Sequence, residues 1–313
     1  MGSLRSFRGA KTEDIVRLHD SNAVMRARVA GDLAARTYTV GLERGKARKL
    51  QLDDKRPRSL GAWHGTFPMV LFHPGDVELA GGSPELRRAF LDRILEQLDP
   101  AYESALGTYT KALRSRNRLL KQDPIDARGV RSYDAILADA GAIVGRARAS
   151  LVTSLAPRVA RAFHEVAGEE LPLDVSYQPR VAPERELLLR ALEQAFQKDC
   201  ARGFTADGPH ADDLALTVRT IAAKHHASQG QQRAIVLALK VAELDELSAR
   251  TGKVPVLLLD DVSSELDRRR NRRLFDLLAR LGGQVFLTTT HPEFILLDEH
   301  RRDFQVAGGV VTG

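Results

Sequence analysis

The chain has 313 residues, 43% of them apolar and 28% charged, with 47 Lys and Arg against 41 Asp and Glu, a formal charge of +6 and a pI near 9.6. This suits one large or two smaller globular domains and admits a polyanion such as nucleic acid as partner without establishing one. The single cysteine, Cys200, excludes an internal disulfide and a thiolate metal site. No run approaches the roughly 20 apolar residues of a membrane span, and the opening MGSLRSFRGAKTEDIV lacks a secretory core, so a cytoplasmic protein with no membrane partner is expected.

Residues 21–53 alternate with a period of two. Val24, Arg26 and Arg28 alternate with Met25, Ala27 and Val29; Tyr38, Val40 and Leu42 alternate with Thr37 and Thr39; Leu50 and Leu52 follow. Gly31, Gly45 and Asp53 lie near the breaks, so a β-meander is predicted. PMVLFH (68–73) suits a buried strand, ended by Pro74-Gly75. From 84 the period turns helical. Phe90, Leu91, Ile94, Leu95 and Leu98 share a face until Pro100, and Tyr102, Leu106, Tyr109, Leu113 and Leu120 continue in a second helix. After the polar turn QDPIDARG, a long helix from about Tyr133 carries the stripe Ile136, Ala140, Ile143, Ala147, Leu151 and Leu155. Pro157 is expected to kink or end it. A strand at 172–178, helices at 183–200 and 228–249, a strand at 254–260, a helix at 266–281, a strand at 284–289 and a hairpin around Gly308-Gly309 complete the chain. This order predicts one α/β domain interrupted by a helical arm, divided at 1–83, 84–170 and 171–313.

The most informative segment is VPVLLLDDVSSELD (254–267). An apolar run builds a buried parallel-type strand, and Asp260 and Asp261 emerge together at its carboxyl end, where α/β ligand sites lie. In this Walker B pattern Asp260 would hold a hydrated Mg²⁺, and Asp261 would orient or deprotonate an attacking water. A capping Asp for the next helix would explain one carboxylate but not two followed by Ser-Glu-Leu-Asp. The second segment is Ser228-Gln229-Gly230-Gln231-Gln232, which opens the helix RAIVLALKVAEL. Ser228 can be a simple N-cap, yet a hydroxyl, a glycine amide and free helix amides together also make an anion site. Its place before a Walker B strand is that of the ABC-type signature, which touches the γ-phosphate of ATP held by the opposite subunit. His291, after Thr288-Thr289-Thr290, stands where many ABC proteins carry a switch histidine, although a surface histidine would look the same.

Two basic runs have both a solvated-face and a phosphate-contact reading. Lys111, Arg114, Arg116, Arg118, Lys121, Arg128 and Arg131 crowd the arm tip. Arg268, Arg269, Arg270, Arg272 and Arg273 crowd the start of a helix, where they oppose its dipole. Few aromatics interleave, so base stacking is not indicated. Trp63 and the pair His225-His226 suggest only packing or loop polarity.

SQGQQRAIVLALKVAEL, LLLDDVSSELD, FLTTT, GPHADDL (208–214), LFHPGDVELAGGSPELRRAFLD (71–92) and TYTKALRSRNRLLK (108–121) resemble the RecF family across essentially the whole chain. The resemblance implies an ABC-type ATPase head, related to SMC heads, with an inserted α-helical arm lobe. It implies ATP and Mg²⁺ as cofactors and an ATP-dependent homodimer that binds single-stranded and gapped or linear duplex DNA. RecO and RecR would be mediator partners in replication, recombinational repair and the SOS response. On this reading Ser264, Glu265 and Asp267 form the D-loop, and Lys111, Arg114, Arg116, Arg118 and Lys121 contact DNA. Asp261, shorter than the Glu of ABC transporters, implies slow turnover. A different ABC ATPase subunit, such as a transporter's, or a non-catalytic scaffold are the alternatives.

One departure stands out. A Walker A loop needs Gly, four residues, then Gly-Lys-Ser/Thr, so that amides and a Lys wrap the phosphates. The only Gly-Lys pairs, Gly45-Lys46 and Gly252-Lys253, precede Ala47 and Val254. The expectation is a chain that begins downstream of its phosphate loop, through a late start assignment, a truncation or degeneration of the protein, with the intact Walker B, signature and Thr-rich segments favouring the late start. The genomic DNA before codon 1 should then encode, in frame, a strand and a Gly-x-x-x-x-Gly-Lys-Thr/Ser loop. An in-frame stop immediately before Met1 contradicts the late start.

Overall fold

The computed structural model describes residues 6, 9–30, 35–58, 63, 67–167, 171–261, 268–296 and 301–313, with the side chains at 268, 270 and 277–281 left aside. The period of two near the start becomes β1 (Asn22–Val29), β2 (Arg36–Glu43) and β3 (Lys49–Leu52), an antiparallel meander in the order β1-β2-β3. Its inner face places Ala23, Met25, Val40, Leu42, Leu50 and Leu52 around Val16, Tyr38 and Trp63. Tyr38 meets Trp63 and Phe67 edge-on, with ring centroids 4.9 and 5.0 Å away.

A second sheet starts at β4 (Met69–Phe72), which gives way at Pro74 to a 3-10 turn. The helical region follows as α1 (Pro84–Leu98), α2 (Pro100–Leu119) and α3 (Asp134–Ala167). Asp99 ends α1 and caps α2, its Oδ1 accepting from the Ala101 amide at 2.8 Å. Then come β5 (Leu173–Gln178), α4 (Arg185–Arg202), β6 (Asp213–Val218), α5 (Gln229–Thr251), β7 (Val256–Asp260), α6 (Arg268–Leu281) and β8 (Val285–Thr288). The tail forms a hairpin of β9 (Gln305–Ala307) and β10 (Val310–Thr312). Its two-residue turn needs positive φ twice, and Gly308 and Gly309 supply +58° and +79°.

β4, β7 and β8 make a parallel sheet in that order, with β7 central. β5 pairs antiparallel with β6 from Leu173↔Val218 to Gln178↔Asp213, and the two-residue strand Ile221–Ala222 extends that sheet. The sequence pattern did not single out β6. One apolar cluster joins Val70 and Phe72 of β4, Leu257 and Leu259 of β7, Ile235 through Leu239 of α5, and Leu151, Leu155, Val159 and Phe163 of α3. The inserted helices and the parallel sheet therefore share a core.

Two expectations for α3 require correction. Pro157 does not end the helix, which continues to Ala167. The proline removes one amide and crowds the preceding turn, a cost of about 3 kcal/mol, but Val152, Leu155, Val159, Ala162 and Phe163 are buried on either side of it, and their burial outweighs it. Of the stripe read from sequence, Ala140, Leu151 and Leu155 are buried and Ala147 is partly so, but two positions turn outward. Ile136 and Ile143 are 41% and 42% exposed, whereas Leu137 and Val144 are 2% and 0%. α3 is packed from two sides here: Leu137 and Ala140 meet Tyr109 and Leu192, and Ala138 and Ala142 meet Leu188. Gly145 permits the close approach, because a Cβ there would lie 2.7 Å from Pro183 Cβ.

Buried charge ties these elements together. Arg116, a sequence candidate for DNA contact, is 0% exposed. Its Nε donates to Asp134 Oδ1 at 2.9 Å, and its Nη1 donates to Asp199 Oδ2 and Thr205 Oγ1, both at 2.7 Å. It pins α2 to α3 and α4 and cannot reach a phosphate. The loop 208–214 is a second clasp. Arg148 holds Asp92 through two bonds of 2.8 and 3.0 Å and the Pro209 carbonyl at 2.7 Å. Arg87 holds Asp213 in the same forked way at 2.8 and 2.9 Å, and Asp212 accepts from Tyr177 Oη and from the Arg180 amide. His210 Nε2 faces the Thr205 carbonyl at 2.9 Å, and its Nδ1 faces Tyr109 Oη at 2.6 Å. A carbonyl only accepts, so Nε2 carries the proton and Nδ1 accepts from the tyrosine.

Two predictions follow from these clasps. Burial pushes His210 below the usual histidine range, so below the ordinary histidine pKa of about 6.5 the unfolded chain takes up a proton that the folded one resists. The stability this residue contributes is present above that pH and declines as pH falls through it. His210→Gln should unfold in urea with a shallower loss of stability between pH 7 and 5 than the parent; an unchanged pH slope contradicts the assignment. Separately, Arg116→Met strands two buried carboxylates and should cost about 3–5 kcal/mol, read as a lower urea midpoint. A midpoint equal to the parent's would return Arg116 to the surface.

Candidate nucleotide site and basic face

The apolar run of 254–260 forms the central strand of the parallel sheet, and this places Asp260 and Asp261 at its carboxyl end. Thr288, opposite Asp260 on β8, donates from Oγ1 to Asp260 Oδ1 at 2.8 Å. The Asp261 amide donates to the Thr288 carbonyl at 3.0 Å. Asp261 has φ +51°, a left-handed conformation that Asp tolerates, and the strand ends there. These hard oxygen donors suit Mg²⁺. Among the described residues no group of three His, Cys, Asp or Glu is placed to hold a metal alone. A Mg²⁺ on Asp260 would therefore draw its other ligands from water and phosphate. The phosphate loop itself has no counterpart in the 313 residues.

Ser228 caps α5. Its Oγ accepts from the Gln231 amide at 3.2 Å, and Gln231 Oε1 accepts from the Ser228 amide at 2.9 Å, completing a capping box. The Gln232 amide donates to the Ser228 carbonyl. The amides of Gln229 and Gly230 are the remaining first-turn donors and face out of the helix end. Ser228 and Gln229 are exposed, and Gly230 and Gln231 are partly so. Capping and anion binding are thus compatible at this turn.

The position of that turn relative to the carboxylates is set three helical turns further on. Lys240, 3% exposed, lies 3.6 Å from Asp76 Oδ2 and 3.2 Å from Glu243 Oε2. Asp76 stands just past the carboxyl end of β4, beside His73 and Arg93 at 3.7 and 3.9 Å. Burial, the largest influence on Glu243, raises its pKa against the pull of Lys240. From Lys240 back to Ser228 is 12 residues, about 18 Å of helix. The segment after β4 follows the same direction, since a Cβ on Gly81 would meet Gln232 Nε2 at 3.4 Å. The Ser228 turn thus lies about 18 Å along α5 from the contact that Lys240 makes past the end of β4.

His291 is half-exposed; its Nδ1 pairs with Glu293 Oε1 at 3.0 Å, and its ring lies 5.4 Å from that of Phe294. Ser264, Glu265 and Asp267 lie outside the described residues. Lys111, Arg114, Arg118 and Lys121 are exposed, and their spacing of three, four and three residues puts them along one face of α2 and just past its end. Arg116 projects from the opposite side. Arg131 lies over the Phe196 ring at 4.5 Å, and the Arg273 guanidinium donates to the Val166 carbonyl, so these two serve packing. The loop 208–214, quoted above only for its resemblance, is what orients the helices bearing the basic face.

No protein-family model matches the chain. The DNA replication and repair protein RecF of Myxococcus xanthus is 38% identical over 301 residues, covering 93% of this chain and 79% of that protein. That of Trichlorobacter lovleyi is 35% identical over 319 residues, covering 100% and 86%. Among solved structures, the recombination mediator protein RecF-ATPrS in the RecFOR pathway superposes with a TM-score of 0.88 at 28% identity, covering 99% of this chain and 85% of that one. The RecF-ATP structure of the same pathway gives 0.84 at 28% identity, covering 98% and 84%. The chain has the mixed α/β fold of those structures and belongs to the RecF family of DNA replication and repair proteins.

Proposed function

We propose that this chain is an ATP-dependent DNA-binding protein of replication, recombinational repair and the SOS response, built as an ABC-type head. It acts as a homodimer on single-stranded and gapped or linear duplex DNA, together with RecO and RecR. The RecF-ATP and RecF-ATPrS structures support the nucleotide, and their RecFOR pathway supports the mediator partners. The observation that carries the reading is the separation of the two halves of the site. Asp260 and Asp261 stand at the sheet end, and Ser228 and Gly230 lie about 18 Å along α5 from the Lys240 contact at that end. That separation along α5 favours a site completed by two chains facing each other over one in which both halves of a single chain meet the same phosphate.

In that arrangement Asp260 holds Mg²⁺ and Asp261 orients water on the chain's own nucleotide, while the Ser228 hydroxyl and the Gly230 amide meet the γ-phosphate bound by the partner. Bound Mg²⁺ neutralises phosphate charge. These 313 residues contain no Gly-x-x-x-x-Gly-Lys-Ser/Thr loop, so no hydrolytic step is assigned to them. Lys111, Arg114, Arg118 and Lys121 meet the DNA backbone.

The test compares molecular mass in solution with and without ATP, in a form that carries a phosphate-binding loop. Ser228→Arg should bind ATP as a monomer and fail to dimerise, because a bulky cation blocks a turn that offers amides. Asp261→Asn should bind ATP and persist as a dimer, because the shape is kept and the base is lost. Dimerisation of Ser228→Arg at the parent's concentration reduces Ser228 to an N-cap.

A further inference from the structure

The net positive charge of the chain is not spread along it. Residues 1–58 hold 14 Lys and Arg against 7 Asp and Glu, which leaves 33 basic against 34 acidic residues in the other 255. The excess charge thus belongs to the meander and its flanks, whereas the arm tip belongs to a region that is neutral overall.

The meander's register sorts part of this charge onto one face. β1 sends Ala23, Met25 and Val29 to the core and leaves Asn22, Val24, Arg26 and Arg28 exposed. Across β1 and β2, Arg26 opposes Thr39, Arg28 opposes Thr37, and Val24 opposes Gly41; across β2 and β3, Thr39 opposes Gln51 and Gly41 opposes Lys49. The outer face therefore has short side chains along its middle strand and long cations on both flanks. Arg26 and Arg28 are about 7 Å apart along β1, and Lys49 stands two strands across from Val24, about 10 Å from it and farther from the two arginines. Arg26 lies over the sheet, with Nε donating to Thr39 Oγ1 at 3.4 Å. Neither Arg26 nor Arg28 has an ion pair among the described residues. Glu43 is the acidic neighbour, shared by Lys46 at 2.6 Å and the largely exposed Lys49 at 3.7 Å.

We propose that this outer face, through Arg26, Arg28 and Lys49, is a second contact surface for a nucleic-acid phosphate backbone, separate from the basic face of α2. The proposal rests on the DNA-binding reading above and adds the surface. Cations beside the half-buried Thr37 and the exposed Gln51 and Asn22 offer point charges and neutral donors, the groups that bind phosphate, whereas Thr39 is buried beneath Arg26. The face has no aromatic residue on which a base could stack and no aromatic anchor of the kind that centres a protein interface. Backbone contact without sequence readout is what such a surface provides.

The experiment measures binding of this chain to a labelled blunt duplex across a salt series, and reads the slope of log affinity against log salt. Arg26→Gln/Arg28→Gln/Lys49→Gln should flatten the slope by about 2–3 units and weaken binding on the order of a hundredfold near 0.1 M salt, since each phosphate contact contributes about 0.9. Gln51→Lys, which adds a cation to the same exposed face, should steepen the slope by about one unit and tighten binding. This gain tests the face even if the triple variant does not fold, which circular dichroism checks. If both variants keep the parent's slope and affinity while Arg114→Gln/Arg118→Gln loses both, DNA binding stands and the meander surface is wrong. If the parent itself shows no salt-dependent DNA binding, the DNA reading falls and the surface with it.

Discussion

The ion set around Lys240 fixes the geometry on which the functional reading depends. A buried ammonium is tolerated only with its partners in place, and Lys240 has Asp76 and Glu243 within 3.6 Å and the Phe90 ring 5.6 Å away. Asp76 belongs to the turn leaving β4, and β4 pairs with the strand that ends in Asp260. The contact therefore joins the middle of the signature helix to the carboxyl end of the parallel sheet. A helix cannot slide past such a point without stranding a charge, so the Ser228 turn is held in a set position relative to the carboxyl end of the sheet.

The same physics holds the inserted helices. Arg87, Arg116 and Arg148 are all buried, and each grips carboxylates, in two cases with the forked geometry that makes an Arg–carboxylate pair directional. Apolar packing alone would bring α1, α2 and α3 together with some freedom of register. The guanidinium forks remove it, because a misaligned fork would leave buried donors unmet. Farther along α3, Glu246 of α5 accepts from Ser154 at 2.7 Å and lies 3.5 Å from Arg158, so the arm is also tied to the signature helix. A rigid arm gives the Lys111–Lys121 face a defined direction.

Much of this was legible in the sequence where one physical effect dominated. The meander, β4, β7 and β8 follow from alternation or from short apolar runs, and Ser228 reads as a cap because a hydroxyl precedes a helical pattern. Legibility failed where several neighbours compete. α3 is covered on two sides, so its buried positions are too many to form one stripe, and Ile136 and Ile143 were read inward. β6 hides because its apolar residues, Leu214 and Leu216, are few and follow a charged loop directly, with no turn signal between them. Arg116 was grouped with its basic neighbours, yet it stands seven residues from Tyr109 and fourteen from Tyr102, on the apolar side of α2. That spacing was the available signal. The carboxylate partners, Asp134 and Asp199, come from other helices and no local pattern announces them.

The central claim is that the signature turn and the carboxylate pair of one chain are too far apart to serve one phosphate. Its most direct test is the distance between spin labels at Ser228→Cys and Asp261→Cys in a Cys200→Ser background, with labelled chains diluted in unlabelled protein so that only intrachain pairs are read. The account predicts a distribution centred well above about 10 Å. A distribution centred below about 10 Å, close enough for both groups to approach a single phosphate, would contradict it.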